Sequence, residues 1–270
     1  MTITLNGTTG EVFPTWTTGT RPASPATSQM GFNTTIGAFD VYSGTAWLTL
    51  QLSGALIRAP QLISNTGTTS YTTPSNCTAI YVELWGGGGG GGGARCNAAG
   101  STTAIGGPGG GGAYLAKYLT VTASTAYTIA VGAGGTAGSG PATTTSGGTG
   151  GTTSIIVSAT TYSATGGAGG GAAFNTVGGT TVTGTNGAGG TATNGDLNVS
   201  SLAGGYFGAS VGGASQMFIG LGGVTPSANG VGGAGLYYSA GGGGGYFQGT
   251  SGNNNGGVGY QGLIRIWEYT

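Results

Sequence analysis

The residues equipped for acid–base, metal or nucleophilic chemistry are few and scattered. Five carboxylates, Glu11, Asp40, Glu83, Asp196 and Glu268, lie far apart, and no close pair offers the two-acid arrangement of glycoside hydrolysis. The chain has no histidine, which removes the usual base of a nucleophilic triad. Cys77 and Cys96 are too few for a disulfide framework and lack zinc-ligand spacing; they read as inert thiols, with a single bridge left open. In "YTIAVGAGGTAG" the residues Gly132, Gly134 and Ala137 fit the glycine fingerprint of a dinucleotide-binding turn. That turn needs a helix behind it, and "GSGPATTTSGG" cannot supply one. Lys117 stands between Ala116 and Tyr118, outside any phosphate-loop pattern. The expectation is a protein with no catalytic residue, no cofactor and no metal, in which Glu83 and Arg265 form a structural cross-strand pair.

What remains is recognition by surface. Aromatic residues flank or interrupt the glycine runs, and Tyr and Phe at loop tips give rigid contact area at low entropic cost. The candidates for contact with a receptor are Phe174, the pair Tyr206 and Phe207, Phe218, the pair Tyr237 and Tyr238, and Tyr246 with Phe247. A polar loop, "GTSGNNNGG", adds Asn253, Asn254 and Asn255 as hydrogen-bonding candidates. The bland alternative for each aromatic is that it caps a glycine layer as its apolar rim.

The composition narrows the partners. Lys plus Arg and Asp plus Glu are five each, so net charge is zero and there is no basic footprint for nucleic acid or an anionic membrane. No apolar run approaches the roughly 18–20 residues of a membrane span, and "MTITLNGTTG" has neither the basic nor the apolar region of a signal peptide. Glycine accounts for 67 of 270 residues. Disordered chains are typically charged and poor in aromatics. This one is 4% charged and carries 13 Tyr, 7 Phe and 4 Trp, so an ordered, packed chain is expected.

The elements that must hold such loops are strands. In residues 1–50, "TITL" alternates, and short strands are expected at Gly31–Asn33, Ala38–Tyr42 and Ala46–Leu50. A meander this small buries too little surface alone. Phe32, Phe39, Val41, Tyr42 and Trp47 are therefore candidates for assembly with other chains. Residues 51–70 read as a connector with one short helical turn. From residue 71 onward, "AIYVELW" sets Ile80, Val82 and Leu84 against Tyr81, Glu83 and Trp85, and "GLIRIWEYT" alternates likewise. "AYLAKYLTVTA", "AYTIAVGAG" and "SIIVSATTYSA" add strand-like segments rich in β-branched and aromatic residues.

Between these strands lie glycine runs, of which Gly86–Gly93 is the longest. One ordered glycine run is unfavourable, because glycine loses the most backbone freedom and buries no side chain. Many runs can instead pack laterally as extended three-fold helices with about 3.1 Å rise per residue, bonded backbone to backbone. Their recurrence near residues 106–112, 147–151, 166–171, 187–190, the 230s and 240s, and 256–259 favours such an array over mobile loops. The fold expected is all-β: a small N-terminal meander, then a glycine-rich, sandwich-like domain over 71–270 with polyglycine II-like segments.

The segment "TGTRPASPATSQMGFNTTIGAFDVYSGTAW" resembles a repeat of bacteriophage tail-fibre and tail-associated proteins. The likeness rests on Arg21, Pro22, Pro25, Gly31, Phe32, Asn33 and Thr34, and on the run from Val41 to Trp47. "ITLNGTTGEVFP" is similar to the opening that precedes this repeat, and "AYTIAVGAGG" resembles a strand and turn of phage glycine-rich tail domains. Those domains also begin with a strand ending in Trp-Gly-Gly-Gly and close with one like "GLIRIWEY". The whole is similar in kind to the distal adhesins of T-even-type phages, where packed polyglycine helices support variable loops, although those adhesins have a different N-terminal attachment part. The resemblance implies a virion structural protein, made in the host cytoplasm and carried in the phage tail or fibre. Residues 1–50 would join other virion proteins, a homotrimer is expected, and the glycine-rich domain would bind a host surface protein or glycan. The alternatives are a non-adhesive baseplate, collar or head-fibre protein, or an enzyme that degrades host polysaccharide.

Overall fold

The computed structural model describes residues 14–50, 54–141, 143–207, 209–211, 223 and 226–270. The expected "TITL" strand, Glu11 and Phe218 lie outside the described residues. The chain divides into a unit ending at Ala55, with Thr270, and a second unit over Leu56–Tyr269.

The first unit is a four-stranded sheet in sequence order: β1 (Thr15–Trp16), β2 (Met30–Asn33), β3 (Ala38–Tyr42) and β4 (Trp47–Leu50). The three meander strands fall where alternation placed them, whereas β1, which pairs parallel with β2, and a 3₁₀ turn at Thr18–Thr20 carry too little pattern to foresee. One face of the sheet packs around a buried carboxylate. Asp40 accepts hydrogen bonds from Asn33 Nδ2 (2.7 Å), Arg21 Nε (2.9 Å), Trp16 Nε1 (3.2 Å) and Thr49 Oγ1 (3.3 Å). Trp16 meets Trp47 edge-on with centroids 5.0 Å apart, and a Cβ on Gly31 would run into the Trp16 ring. Arg21, Gly31, Asn33 and Trp47 are thus the frame of this network.

In the second unit the early strands are β5 (Gln61–Ile63), β6 (Gly67–Thr72), β7 (Ala79–Trp85), β8 (Ala94–Ile105), β9 (Tyr114–Thr120) and β10 (Ala126–Val131). Then follow β11 (Thr153–Val157), β12 (Thr160–Ala164), β13 (Ala173–Asn175), β14 (Thr181–Thr183), β15 (Ala192–Thr193) and β16 (Leu197–Val199). The last are β17 (Gly205–Phe207), β18 (Ala209–Val211), β19 (Tyr246–Asn254) and β20 (Leu263–Tyr269). Residues 51–70 are therefore not a plain connector: β5 and β6 are edge strands, largely polar or exposed, and too weakly patterned to stand out.

Two five-stranded antiparallel sheets, β16-β9-β7-β20-β5 and β15-β12-β11-β10-β6, face each other. Between them lies an apolar core that includes Ile80, Val82, Leu84, Leu115, Ile264 and Ile266 from one sheet and Ile129, Val131, Ile155 and Val157 from the other. Burying each such side chain is worth about 1.5–3 kcal/mol, so this sandwich is the anchor of the unit.

The glycine runs continue these strands beyond the sandwich. Gly86–Gly93 follows β7 and is fully buried. Its eight N–H groups donate, with a three-residue period, to segment 107–113 (from Gly86, Gly89, Gly92), to 145–151 (from Gly87, Gly90, Gly93) and to 257–260 (from Gly88, Gly91), at 2.8 to 3.1 Å. Its carbonyls accept in the same rhythm from 167–173, 135–138 and 242–245. The donated bonds go to antiparallel neighbours and the accepted ones come from parallel neighbours, so a central strip is ringed by six others. That is a hexagonal polyglycine II lattice. None of the eight glycines has a positive φ, so they are there for their missing side chain. A Cβ on any of them would sit far inside 3.0 Å of a neighbouring backbone carbonyl.

A lattice bond nets about 1 kcal/mol, while ordering each residue costs roughly 1–2 kcal/mol. The lattice therefore cannot stand alone and must be clamped at its ends. The sandwich clamps one end. At the other, β8 and β19 each fold back as a hairpin, since the lattice sets residue 93 beside 106 and 245 beside 255. These hairpins pair with each other, β13 and β14 flank β8, and a small interior of Ala94, Cys96, Ala104 and Ala173, with Val182 and Phe247 against it, closes the cap.

Candidate functional site

The four described carboxylates are all occupied. Asp40 pairs with Arg21, Glu83 with Arg265, Asp196 with Lys117 and Glu268 with Arg58. The expected Glu83–Arg265 pair is present, directly opposite in the β7–β20 register, and Tyr114 OH also donates to Glu83. Buried Glu268 accepts from Arg58, from Gln61 Nε2 and from Tyr71 OH. Burial alone would raise its pKa, but these donors outweigh it and hold it below the ordinary value. Burial, and then the bond to Glu268, pushes the Tyr71 hydroxyl pKa well up. Cys77 and Cys96 are separate buried thiols, with no bridge between them. Each of these groups satisfies the fold.

The cap offers a different kind of surface. Four of the lattice strips running away from the sandwich end at residues 93, 140, 173 and 245, and four of those running back begin at 106, 145, 184 and 256. The connections between them, 94–105, 174–183, 246–255 and the described residues of 141–144, therefore lie at the far end. Leu56, where the chain joins this unit, bridges Tyr269 at the opposite extreme of β20. On the cap's outer face three side chains share one row across β13, β8 and β19: Phe174, Arg95 and Asn253. The Arg95 guanidinium lies 5.1 Å from the Phe174 ring centroid, a cation–π contact that fixes both groups. Phe174 is 46% exposed, and Val177 in the next turn is 59% exposed.

The structure sorts the sequence candidates. Phe174, Tyr246 and Asn253 reach the cap surface, and Tyr206 and Phe207 lie on the β17–β18 pair, which follows the outward strip 201–204. Phe247 instead packs into the cap interior, where a Cβ on Gly252 would strike its ring. Asn254 Nδ2 donates to the Tyr246 carbonyl (2.7 Å) and braces the hairpin, while Asn255 Oδ1 accepts from Gly140 N–H (2.8 Å) and ties the hairpin's base to the neighbouring strip. Tyr237 and Tyr238 are not at the cap. They lie in the turn between strips 230–235 and 239–245, next to the sandwich, where Tyr238 packs on the Trp85 and Tyr114 cluster and meets Tyr260 edge-on at 5.4 Å. Sequence reasoning passed over Arg95. Its signal was the alternation of "ARCN", where Ala94 and Cys96 are small enough to face the cap interior and leave Arg95 outward.

Among the first unit's candidates, Phe32, Phe39 and Val41 share an open sheet face with Met30, Leu48 and Leu50, in rows set by the β2–β3–β4 register. Leu48 and Leu50 are 56% and 55% exposed. Tyr42 and Trp47 lie on the opposite, packed face, with their rings 5.4 Å apart.

A sandwich that extends into a side-chain-free lattice and ends in a hairpin cap defines a glycine-rich all-β protein. The sequence model of the glycine-rich domain family matches residues 63–268, and the chain belongs to that family. No curated protein shows a significant match to the chain.

Proposed function

We propose that the chain is a phage virion structural protein, a tail-fibre or tail-tip adhesin that meets a host surface protein or glycan through the cap of its second unit. The observation that carries this reading is the polarity of that unit: a rigid lattice gathers four connecting loops at one end, away from the point where the chain enters at Leu56. Binding loops on a stiff scaffold are the usual division of labour in recognition proteins. The open apolar face of the first unit supports the attachment role. Six apolar side chains on one small sheet, two of them more than half exposed, need cover from other chains. Homotrimer formation follows from the tail-fibre likeness.

Pull-down of the purified chain on susceptible cells or their outer-membrane fraction tests the reading, together with competition against phage adsorption. Binding that drops at least tenfold in Phe174→Ala and Arg95→Ala, with unfolding unchanged, is expected. No binding and no block of adsorption would sink it in favour of an internal virion position.

A further inference from the structure

We propose that the flank of the glycine lattice carries a second binding site, a groove for a neutral saccharide between strips 132–140 and 256–262. The groove is shallow and open, with a volume of about 400 Å³, and is lined by Gly134, Gly135, Thr136, Val258, Gly259, Tyr260 and Gln261. Three observations point to this ligand class. First, the lattice bonds leave backbone groups over here. Among the described residues, the N–H groups of Gly134, Val258 and Gln261 and the carbonyls of Gly134 and Gly259 make no hydrogen bond to the chain. Lining an open groove, these groups are free to bond solvent or a ligand. A row of mixed donors and acceptors at fixed spacing is what the hydroxyls of a sugar ring can use, since each both donates and accepts.

Second, the groove holds an aromatic platform. Tyr260 is 39% exposed, and Tyr238, set at 87° to it, packs on the cluster of Trp85 and Tyr114 and so keeps the Tyr260 ring from swinging. An immobilised ring loses little entropy on stacking. Gln261 is likewise held, its Nε2 donating to the Ser64 carbonyl (2.7 Å), which leaves Oε1 as an acceptor. Third, none of the lining residues carries charge. A charged ligand would lose hydration there with nothing to offset it. The proposal does not rest on the cap, because groove and cap belong to different parts of the unit.

The test uses the full chain with isotope-labelled amides. Neutral oligosaccharides of hexose and N-acetylhexosamine are titrated against sialylated and sulfated ones and against a glycine-rich peptide. A neutral oligosaccharide should shift the Gly134, Val258 and Gln261 amides, with affinity falling at least tenfold in Val258→Lys, which fills the groove from an exposed position, and in Tyr260→Ala. Tyr260→Phe should retain most of the affinity and serves as the control for folding. The proposal is overturned if millimolar neutral saccharide moves none of these amides, if Val258→Lys binds as before, or if charged glycans or the peptide bind better. Cap variants Phe174→Ala and Arg95→Ala should leave this titration unchanged whatever they do to cell binding.

Discussion

At the residue scale, the lattice separates glycines that are needed from residues that are tolerated. Gly90 lies at the centre, where an added methyl meets the Thr136 backbone, which has no room to yield. Gly90→Ala should cost at least about 3 kcal/mol, the upper range for overpacking. Ala133, on the exposed side of an outer strip, should tolerate glycine at a cost under about 1 kcal/mol. Chemical denaturation of both variants checks the contrast, and equal losses would mean that close approach is not why glycine is there. Asp40 makes a second residue-scale prediction. Burial raises its pKa, but bonds from Arg21, Asn33 and Trp16 prevail and lower it to about 2, against roughly 3.9 unfolded. A depressed carboxylate lends stability above the unfolded value, and loses it as pH falls through the folded one. The first unit should therefore weaken between about pH 4 and pH 2, with tryptophan fluorescence of Trp16 and Trp47 as the readout, and Asp40→Asn should flatten that response. Little of this network was legible, because its donors lie between Trp16 and Thr49 with no periodic relation to Asp40.

At the element scale, the central strip should be the slowest-exchanging part of the backbone. Each amide from Gly86 to Gly93 is bonded and buried under six neighbours, so its exchange requires opening of the whole unit. Hydrogen exchange by NMR should give protection comparable to Ile80 and Leu84 in the sandwich; exchange as fast as in a free peptide would remove the lattice. The strands around it were readable because Ile, Val and Leu alternate, and a strand's inner face is set by that alternation. The strips also carry a pattern, glycine at every third position facing inward, as in Gly132, Gly135 and Gly138 or Gly184, Gly187 and Gly190, with Ala133, Thr136, Thr185 and Ala188 turned out. Which strip lies beside which was not readable. Bonds between bare backbones carry no side-chain identity, so any strip of the right length fits any position until the sandwich topology assigns it. The same gap misplaced Tyr237 and Tyr238: without strip direction, a turn near the sandwich looks the same as a loop at the cap.

At the scale of the whole molecule, the two units bury their surfaces in opposite ways. The second has an apolar sandwich core, while the first encloses a polar network and leaves Met30, Phe32, Phe39, Val41, Leu48 and Leu50 on an open face. Light scattering should find the intact chain as a stable oligomer, and Leu48→Asp with Leu50→Asp should shift it to monomer while the second unit keeps its unfolding transition. An unaltered chain that is monomeric at micromolar concentration would end the assembly role of this face. Meander strands were evident in the sequence; that their apolar side faces outward was not, because β1 and the buried acid that claim the other side left no periodic trace.

The three-fold screw of the strips limits how the gene for such a protein can change. Removing one codon from Gly86–Gly93 would turn every later amide of that strip by a third of a revolution, pointing it at the wrong neighbour. Length can drift only in triplets of residues, and adjoining strips must gain or lose theirs together. The turns beyond residues 93, 140, 173 and 245 escape this arithmetic, so insertions and deletions should collect there.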